Sequence, residues 1–139
     1  MENYLLKKLW KLANKSLKKD EFPVSAIIFK DDKIISCGYN KRNKSKITTD
    51  HAEIIAIKRA NKKLKNWKIA NVCMLVTLEP CEMCKTVIKE ARISKVYYIV
   101  PRYKYKKQYK CTEFENIENE SLDKEKYIND ITHFFDNKR

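Results

Sequence analysis

Two short stretches carry side chains that could do chemistry together. In "TDHAEIIAIKRA", residues 49–60, one of the chain's two histidines, His51, stands two residues before Glu53 at the mouth of an apolar run. In "TLEPCEMC", residues 77–84, Cys81 and Cys84 follow Pro80 at spacing i, i+3. On a helix that spacing puts both sulfurs on one face, and a helix N-terminus favours thiolate over thiol. Two thiolates and one neutral imidazole make a three-ligand zinc site, neutral in sum, whose fourth position is free for water. Zinc lowers the pKa of such a water to about 7. A carboxylate beside it can take the proton and pass it to a substrate nitrogen. Glu53 suits that task because it lies off His51's stripe of the helix yet in the same first turn. Each part has a plainer reading. CxxC is also a redox motif or half of a structural zinc site, and a lone histidine is more often a core residue. Cys37, Cys73, Cys111 or His133 could also close the metal as an inert four-ligand site. The conjunction of H-x-E at one helix start and P-C-x-x-C at the next favours the open site.

The elements that must position these groups are readable from periodicity. Residues 2–19 have the pattern of an amphipathic helix, with Leu6, Leu9, Ala13 and Leu17 at helical spacing and Leu5 and Leu12 widening the stripe. "PVSAIIF" and "KIISCGYN", separated by "KDDK", predict a β-hairpin. Residues 51–65 predict the helix that carries His51 and Glu53. "NVCMLVTL" is apolar enough for a strand covered on both faces. Pro80 opens a second helix, through about Arg92, and "KVYYIV" follows as a strand. A last helix spans 123–136, with Tyr127, Ile128, Ile131, Phe134 and Phe135 on its apolar side. Strands alternating with helices predict a layered α/β domain with a mostly parallel part. One domain covers 1–139, with the N-terminal helix inside 1–20, an irregular basic-then-acidic segment at 101–122, and the C-terminal helix inside 123–139.

At 139 residues and 43% hydrophobic content the chain suits one core. Its 31 Lys+Arg against 18 Asp+Glu give +13, an excess that favours polyanionic partners through phosphate neutralisation. The plainer account is a lysine-rich surface that serves solubility. No run is long enough to span a bilayer. The N-terminus lacks the apolar stretch and small-residue cleavage site of a signal peptide. The five cysteines are an odd number, better read as ligands or core residues in a reducing cytoplasm than as disulfides.

With "EFPVSAII", Asn40, "TTDHAEIIAI", "LVTLEPCEMC" and "ARISKVYY", the chain resembles the cytidine-deaminase-like superfamily over about residues 20 to 100. Within it, it resembles the bacterial tRNA adenosine deaminases; H-x-E…P-C-x-x-C is the zinc-deaminase signature. The resemblance implies a three-layer α/β/α fold with a mixed five-stranded sheet, working as a cytoplasmic homodimer. It implies one Zn2+ per subunit on His51, Cys81 and Cys84, with Glu53 moving protons. It also implies that Asn40 hydrogen-bonds a flipped base and that Phe22, Pro23, Val24 and Ala52 line its pocket. The reaction it implies is adenosine to inosine at the wobble position of a tRNA anticodon stem-loop. Ser25 stands where the family usually has glycine, Asp50 where it usually has alanine, and "KTV" at 85–87 where it usually has small residues.

The segment "RYKYKKQYK" fits an RNA partner on its own chemistry. Arg102, Lys104, Lys106 and Lys107 can track phosphates while Tyr103 and Tyr105 stack on splayed bases. The plainer reading is an edge strand whose lysines block aggregation. Two other functions use the same residues. A guanine, cytosine or nucleoside deaminase needs only a different pocket. A non-catalytic, zinc-stabilised RNA-binding domain predicts a fourth protein ligand and leaves Glu53 without a task.

Overall fold

The structure is a computed structural model and describes residues 1–102, 112–117 and 122–137. The chain forms two compact units, Met1–Lys106 and Lys107–Arg139. The first holds a sheet of four strands among the described residues, in the order β2-β1-β3-β4.

Helix α1 (Asn3–Lys18) buries Leu5, Leu9, Leu12, Ala13 and Ser16. The buried stripe is therefore rotated from the predicted one: Leu17 is 58% exposed and Ser16 is fully buried. The serine can be buried because its hydroxyl donates to the carbonyls of Phe22, at 3.0 Å, and Asn40, at 3.3 Å. Strands β1 (Ser25–Lys30) and β2 (Lys33–Tyr39) pair antiparallel as predicted. Asp31 and Asp32 join them with φ of 49° and 63°, the positive values a two-residue hairpin loop demands and aspartate tolerates.

The chain then leads through a short helix α2 (Arg42–Ser45), which the periodicity does not reveal, to α3 (Ala52–Leu64). Strand β3 (Cys73–Leu78) pairs antiparallel with β1 and parallel with β4 (Lys95–Val100). Helix α4 (Glu82–Glu90) makes the crossover between those two. Among the described strands only the β3–β4 pair is parallel, so the sheet is mixed, as the resemblance implies. The fifth strand came from the family resemblance, not from an apolar run, and none appears among the described residues.

The period-2 alternation of the central strands creates the layers. Ile27, Phe29 and Leu75 face Leu5, Leu9 and Leu12 of α1 on one side. Ala26, Ile28, Met74, Val76 and Leu78 face Ala52, Ala56, Ile57, Cys84 and Ile88 of α3 and α4 on the other. The arrangement is the expected α/β/α sandwich. In the second unit, α5 (Leu122–Asn137) has Asp123 and Glu125 in its first turn, where the helix dipole favours them. Its Tyr127, Phe134 and Phe135 are 66%, 60% and 61% exposed. Among the described residues no helix is long and apolar enough to cross a membrane.

Candidate metal centre and catalytic site

Both helices that matter begin at a metal-binding residue type. His51 is the extended N-cap of α3, with φ −79° and ψ 154°. Cys81 is the extended N-cap of α4, with φ −70° and ψ 171°. Helix α4 thus starts at Glu82 rather than at Pro80, since the cap residue must leave helical geometry. Cys84 lies in its first turn, so the i, i+3 spacing turns both sulfurs to one side.

The three groups converge. His51 Nδ1 is 3.6 Å from Cys81 Sγ and 3.4 Å from Cys84 Sγ, and all three donor atoms lie within 4.8 Å of one another. A tetrahedral ion with Zn–N near 2.05 Å and Zn–S near 2.3 Å needs N···S separations of about 3.6 Å. The donor set therefore fits zinc in chemistry and in spacing. All three residues are buried. Among the described residues no fourth His, Cys, Asp or Glu joins the group. Cys37 and Cys73 pack on the α1 side of the sheet, away from Cys81 and Cys84. His133 sits in the second unit and Cys111 lies outside the described residues.

Electrostatics sharpen the picture. The Cys84 thiol beside it, and then the His51 imidazole, hold Cys81 at about 3 despite burial. Cys84 is pushed far up, first by donating to the Cys81 thiolate and then by burial. The metal-free pair is thus one thiolate and one thiol. Glu53 is 1% exposed, and burial raises its carboxyl above the ordinary range. Its Oε1 has no hydrogen-bond partner among the described residues. An orphaned buried carboxylate oxygen is costly, and its position beside Cys84 marks a place for a water or a substrate proton.

Several residues outside the motifs build this geometry. Gly38 is the chain's one glycine. A Cβ there would sit 2.8 Å from the Ala52 carbonyl oxygen and 3.0 Å from the Ala56 nitrogen. The glycine therefore lets the start of α3 press on β2. The Lys41 N–H donates to the Asp50 carbonyl at 3.0 Å, closing the loop between Asn40 and His51. Glu21, 4% exposed, accepts from the backbone N–H groups of Asn43 and Lys44 at 2.9 and 2.8 Å. The buried Ser25 is accommodated by polar contacts: its hydroxyl donates to Leu9 O at 2.6 Å and its N–H to Thr77 Oγ1 at 3.2 Å. Glu79, just before Pro80, accepts from Lys85 Nζ at 2.8 Å and from the Arg102 N–H at 3.2 Å. Of these residues, the sequence singles out the isolated glycine inside a strand and Ser25, which stands where the resembled family usually has glycine.

The other predicted site residues divide. Val24 and Ala52 are buried in the same core cluster as Cys81 and Cys84. Phe22 is 52% exposed, and Pro23 is exposed too. Asn40 is half-buried, and its Oδ1 accepts from the Arg42 N–H at 3.0 Å, an Asx turn that leaves its amide N–H groups as donors. Arg102 is engaged with Glu79, its Nε donating to Glu79 O at 2.8 Å. Tyr103, Lys104, Tyr105, Lys106 and Lys107 lie outside the described residues.

Comparison with known proteins adds the context. The family profile described as the cytidine and deoxycytidylate deaminase zinc-binding region matches residues 1–100. A tRNA-specific adenosine deaminase of Streptococcus pyogenes serotype M18 is 39% identical over 104 residues, 75% of this chain and 65% of that protein. The match thus spans just under two-thirds of that relative. A tRNA-specific adenosine deaminase of Buchnera aphidicola subsp. Schizaphis graminum is 33% identical, covering 99% of this chain and 96% of that one. Among solved structures, one from a study of A-to-I editing by tRNA:A34 deaminases superposes with a TM-score of 0.70 at 30% identity, over 72% of each chain. The guanine deaminase of Bacillus subtilis gives 0.68 at 33% identity, over 73% of this chain and 66% of that one.

Proposed function

The chain belongs to the cytidine and deoxycytidylate deaminase zinc-binding family, and on that premise we propose that it hydrolytically deaminates adenosine to inosine at the wobble position of a tRNA anticodon. The observation that carries the chemistry is the convergence of His51, Cys81 and Cys84 within 4.8 Å, with the orphaned Oε1 of Glu53 beside them. The adenosine and tRNA parts are supported by the relatives named as tRNA-specific adenosine deaminases.

His51, Cys81 and Cys84 would hold one zinc ion per chain, which supplies a water acidic enough to lose a proton near pH 7, about 7 in pKa. Glu53 takes that proton; burial raises its affinity for it. Water oxygen bonds to carbon 6 of the purine while Glu53 delivers the proton to N1. The second proton passes through Glu53 to the exocyclic amine, the C6–N6 bond breaks, and ammonia leaves with inosine remaining. The low-dielectric surroundings of Val24, Ala52 and Cys84 exclude bulk water from the transfer. Asn40 donates its amide N–H groups to an acceptor on the base, with Phe22, Pro23, Val24 and Ala52 forming the pocket. Arg102 and Tyr103, Lys104, Tyr105, Lys106 and Lys107 contact the RNA.

We assign the reaction to the cytoplasm; the four described cysteines, Cys37, Cys73, Cys81 and Cys84, are all free, which suits a reducing compartment. A homodimer accords with the apolar exposure on β4, where Tyr97, Tyr98 and Ile99 are 36%, 48% and 40% exposed. Guanine deamination is the second reading, favoured by the Bacillus subtilis likeness. Incubating the zinc-loaded protein with an anticodon stem-loop bearing wobble adenosine, free adenosine, cytidine and guanine, and assaying ammonia, decides between them. Release from the stem-loop is expected; release from guanine alone would replace the tRNA reading.

A further inference from the structure

Tyr39, at the end of β2, is ringed by cations. The ammonium groups of Lys15, Lys19 and Lys41 stand 5.5, 5.4 and 5.0 Å from its ring centroid. Lys19 Nζ also donates to the Tyr39 hydroxyl at 2.9 Å. Beside them opens a cleft of about 330 Å³ lined by Lys19, Glu21, Tyr39, Lys41, Lys44 and Ser45. Its only carboxylate, Glu21, already accepts the N–H groups of Asn43 and Lys44. Among the described residues, none of Lys15, Lys19, Lys41 and Lys44 has an ion-pair partner. One ring face attracts cations weakly and does not account for three.

The cluster also borders the base pocket. Tyr39 precedes Asn40, whose carbonyl accepts from Ser16 on α1, and Lys41 is bonded to Asp50 next to His51. Helix α1, which supplies Lys15, contains five lysines and no acidic residue. We propose that Lys15, Lys19, Lys41 and Lys44 around Tyr39 form a phosphodiester-binding subsite that grips the RNA backbone beside the nucleotide whose base enters the site. The identity of this ligand rests on the RNA reading given above. Tyr39 holds Lys19 in place through its hydroxyl and offers its ring as a scaffold for the other two ammonium groups.

Each phosphate contact to a single strand steepens the salt dependence by about 0.7 of a decade in affinity per decade of salt, or about fivefold at about 0.1 M relative to 1 M. The test uses the full chain, zinc-loaded, with a labelled anticodon stem-loop followed by fluorescence anisotropy from about 0.05 to 0.3 M NaCl, the range in which that slope is read. The double variant Lys19→Gln/Lys41→Gln should lose about 25-fold in affinity at about 0.1 M and about 1.4 in slope. Tyr39→Phe, which keeps the ring and frees Lys19, should lose about fivefold. Lys58→Gln/Lys62→Gln removes the same charge from exposed positions on α3 and is the control. Melting curves certify that each variant folds. If the double variant binds as the control does, the subsite is overturned. Ammonia release by the wild type from the same RNA is scored separately. Lost affinity without wild-type turnover keeps the subsite and removes the deamination reading; normal turnover with unchanged affinity does the reverse.

Discussion

Replacing Gly38 with alanine tests how the start of α3 is held. The added Cβ would meet Ala52 O at 2.8 Å, and Ala56 N and Ile55 Cγ2 at 3.0 Å. Two of the three obstacles are backbone, so no rotamer change relieves them. Ordinary contact distances require the helix to retreat by roughly half an ångström, at the turn that joins His51 to Glu53. Overpacking of this kind costs about 1–3 kcal/mol, and the upper half applies where backbone must move. Loss of glycine's freedom in the unfolded chain returns about 0.4–1 kcal/mol. The net loss is about 1–2.6 kcal/mol, a fall in Tm of roughly 3–10 °C for a domain of this size. Because the same retreat displaces His51 relative to Cys81 and Cys84, zinc affinity should fall together with Tm. Thermal melts with and without added zinc, and competition against a chromophoric chelator, measure both. A Gly38→Ala protein that melts with the wild type and binds zinc as tightly would refute the claim that this close approach positions the imidazole.

Three further outcomes follow from the site. Glu53→Gln should retain one zinc per chain by elemental analysis while deamination falls by about 10²–10⁴, the range for losing a general acid–base group; turnover within tenfold of wild type would sink the proton-transfer role. Its melting temperature should hold or rise, because a buried carboxylate with an unpartnered oxygen is gone. Cys84→Ala should bind no stoichiometric zinc, and adding zinc should no longer raise its Tm as mass action requires for the wild type. The thiol pair makes a pH prediction. With Cys81 at about 3 it is already thiolate at neutral pH, and only Cys84, pushed up, still carries its proton. Zinc uptake should then release one thiol proton, and affinity should climb about tenfold per pH unit as the metal competes with that proton. Calorimetry in buffers of different ionisation enthalpy counts it beside any proton lost by the water that the metal brings; release of no proton would contradict the shared-proton pair.

The parts legible in the sequence were those set by period and by ligand spacing. The β-rich "PVSAIIF" and the apolar "NVCMLVTL" gave strands, the second covered on both faces, and H-x-E with P-C-x-x-C gave a metal group that the fold brings together. Less legible were features decided by partners distant along the chain. The buried stripe of α1 turned toward Ser16 because carbonyls of Phe22 and Asn40 were there to receive its hydroxyl. Helix α2 is four residues long, too short for any periodicity, and its exposed N–H groups are met by Glu21 from another element. Pro80 pointed to a helix start two residues early, since proline suits the first turn but cannot reveal that Cys81 serves as the cap. Arg102 read as a phosphate contact from its neighbours' charge; its Nε and backbone N–H bonds to Glu79, 23 positions back along the chain, had no local signal.

The bond from Lys41 to the Asp50 carbonyl ties the two ends of an excursion whose middle is held by Glu21 and by the Asp20 carbonyl, which accepts from Asn43 Nδ2. At its margins the Arg42 N–H donates to Asn40 Oδ1 and the Thr49 carbonyl accepts from the His51 N–H, so those two residues steady the site from either end. Residues 43–48 can therefore be lengthened, shortened or rewritten with the His51, Cys81 and Cys84 group left in place. That separation gives one ancestral scaffold a replaceable rim, on which a preference for nucleic acid or for a free base could be exchanged while the reaction beneath it stays the same.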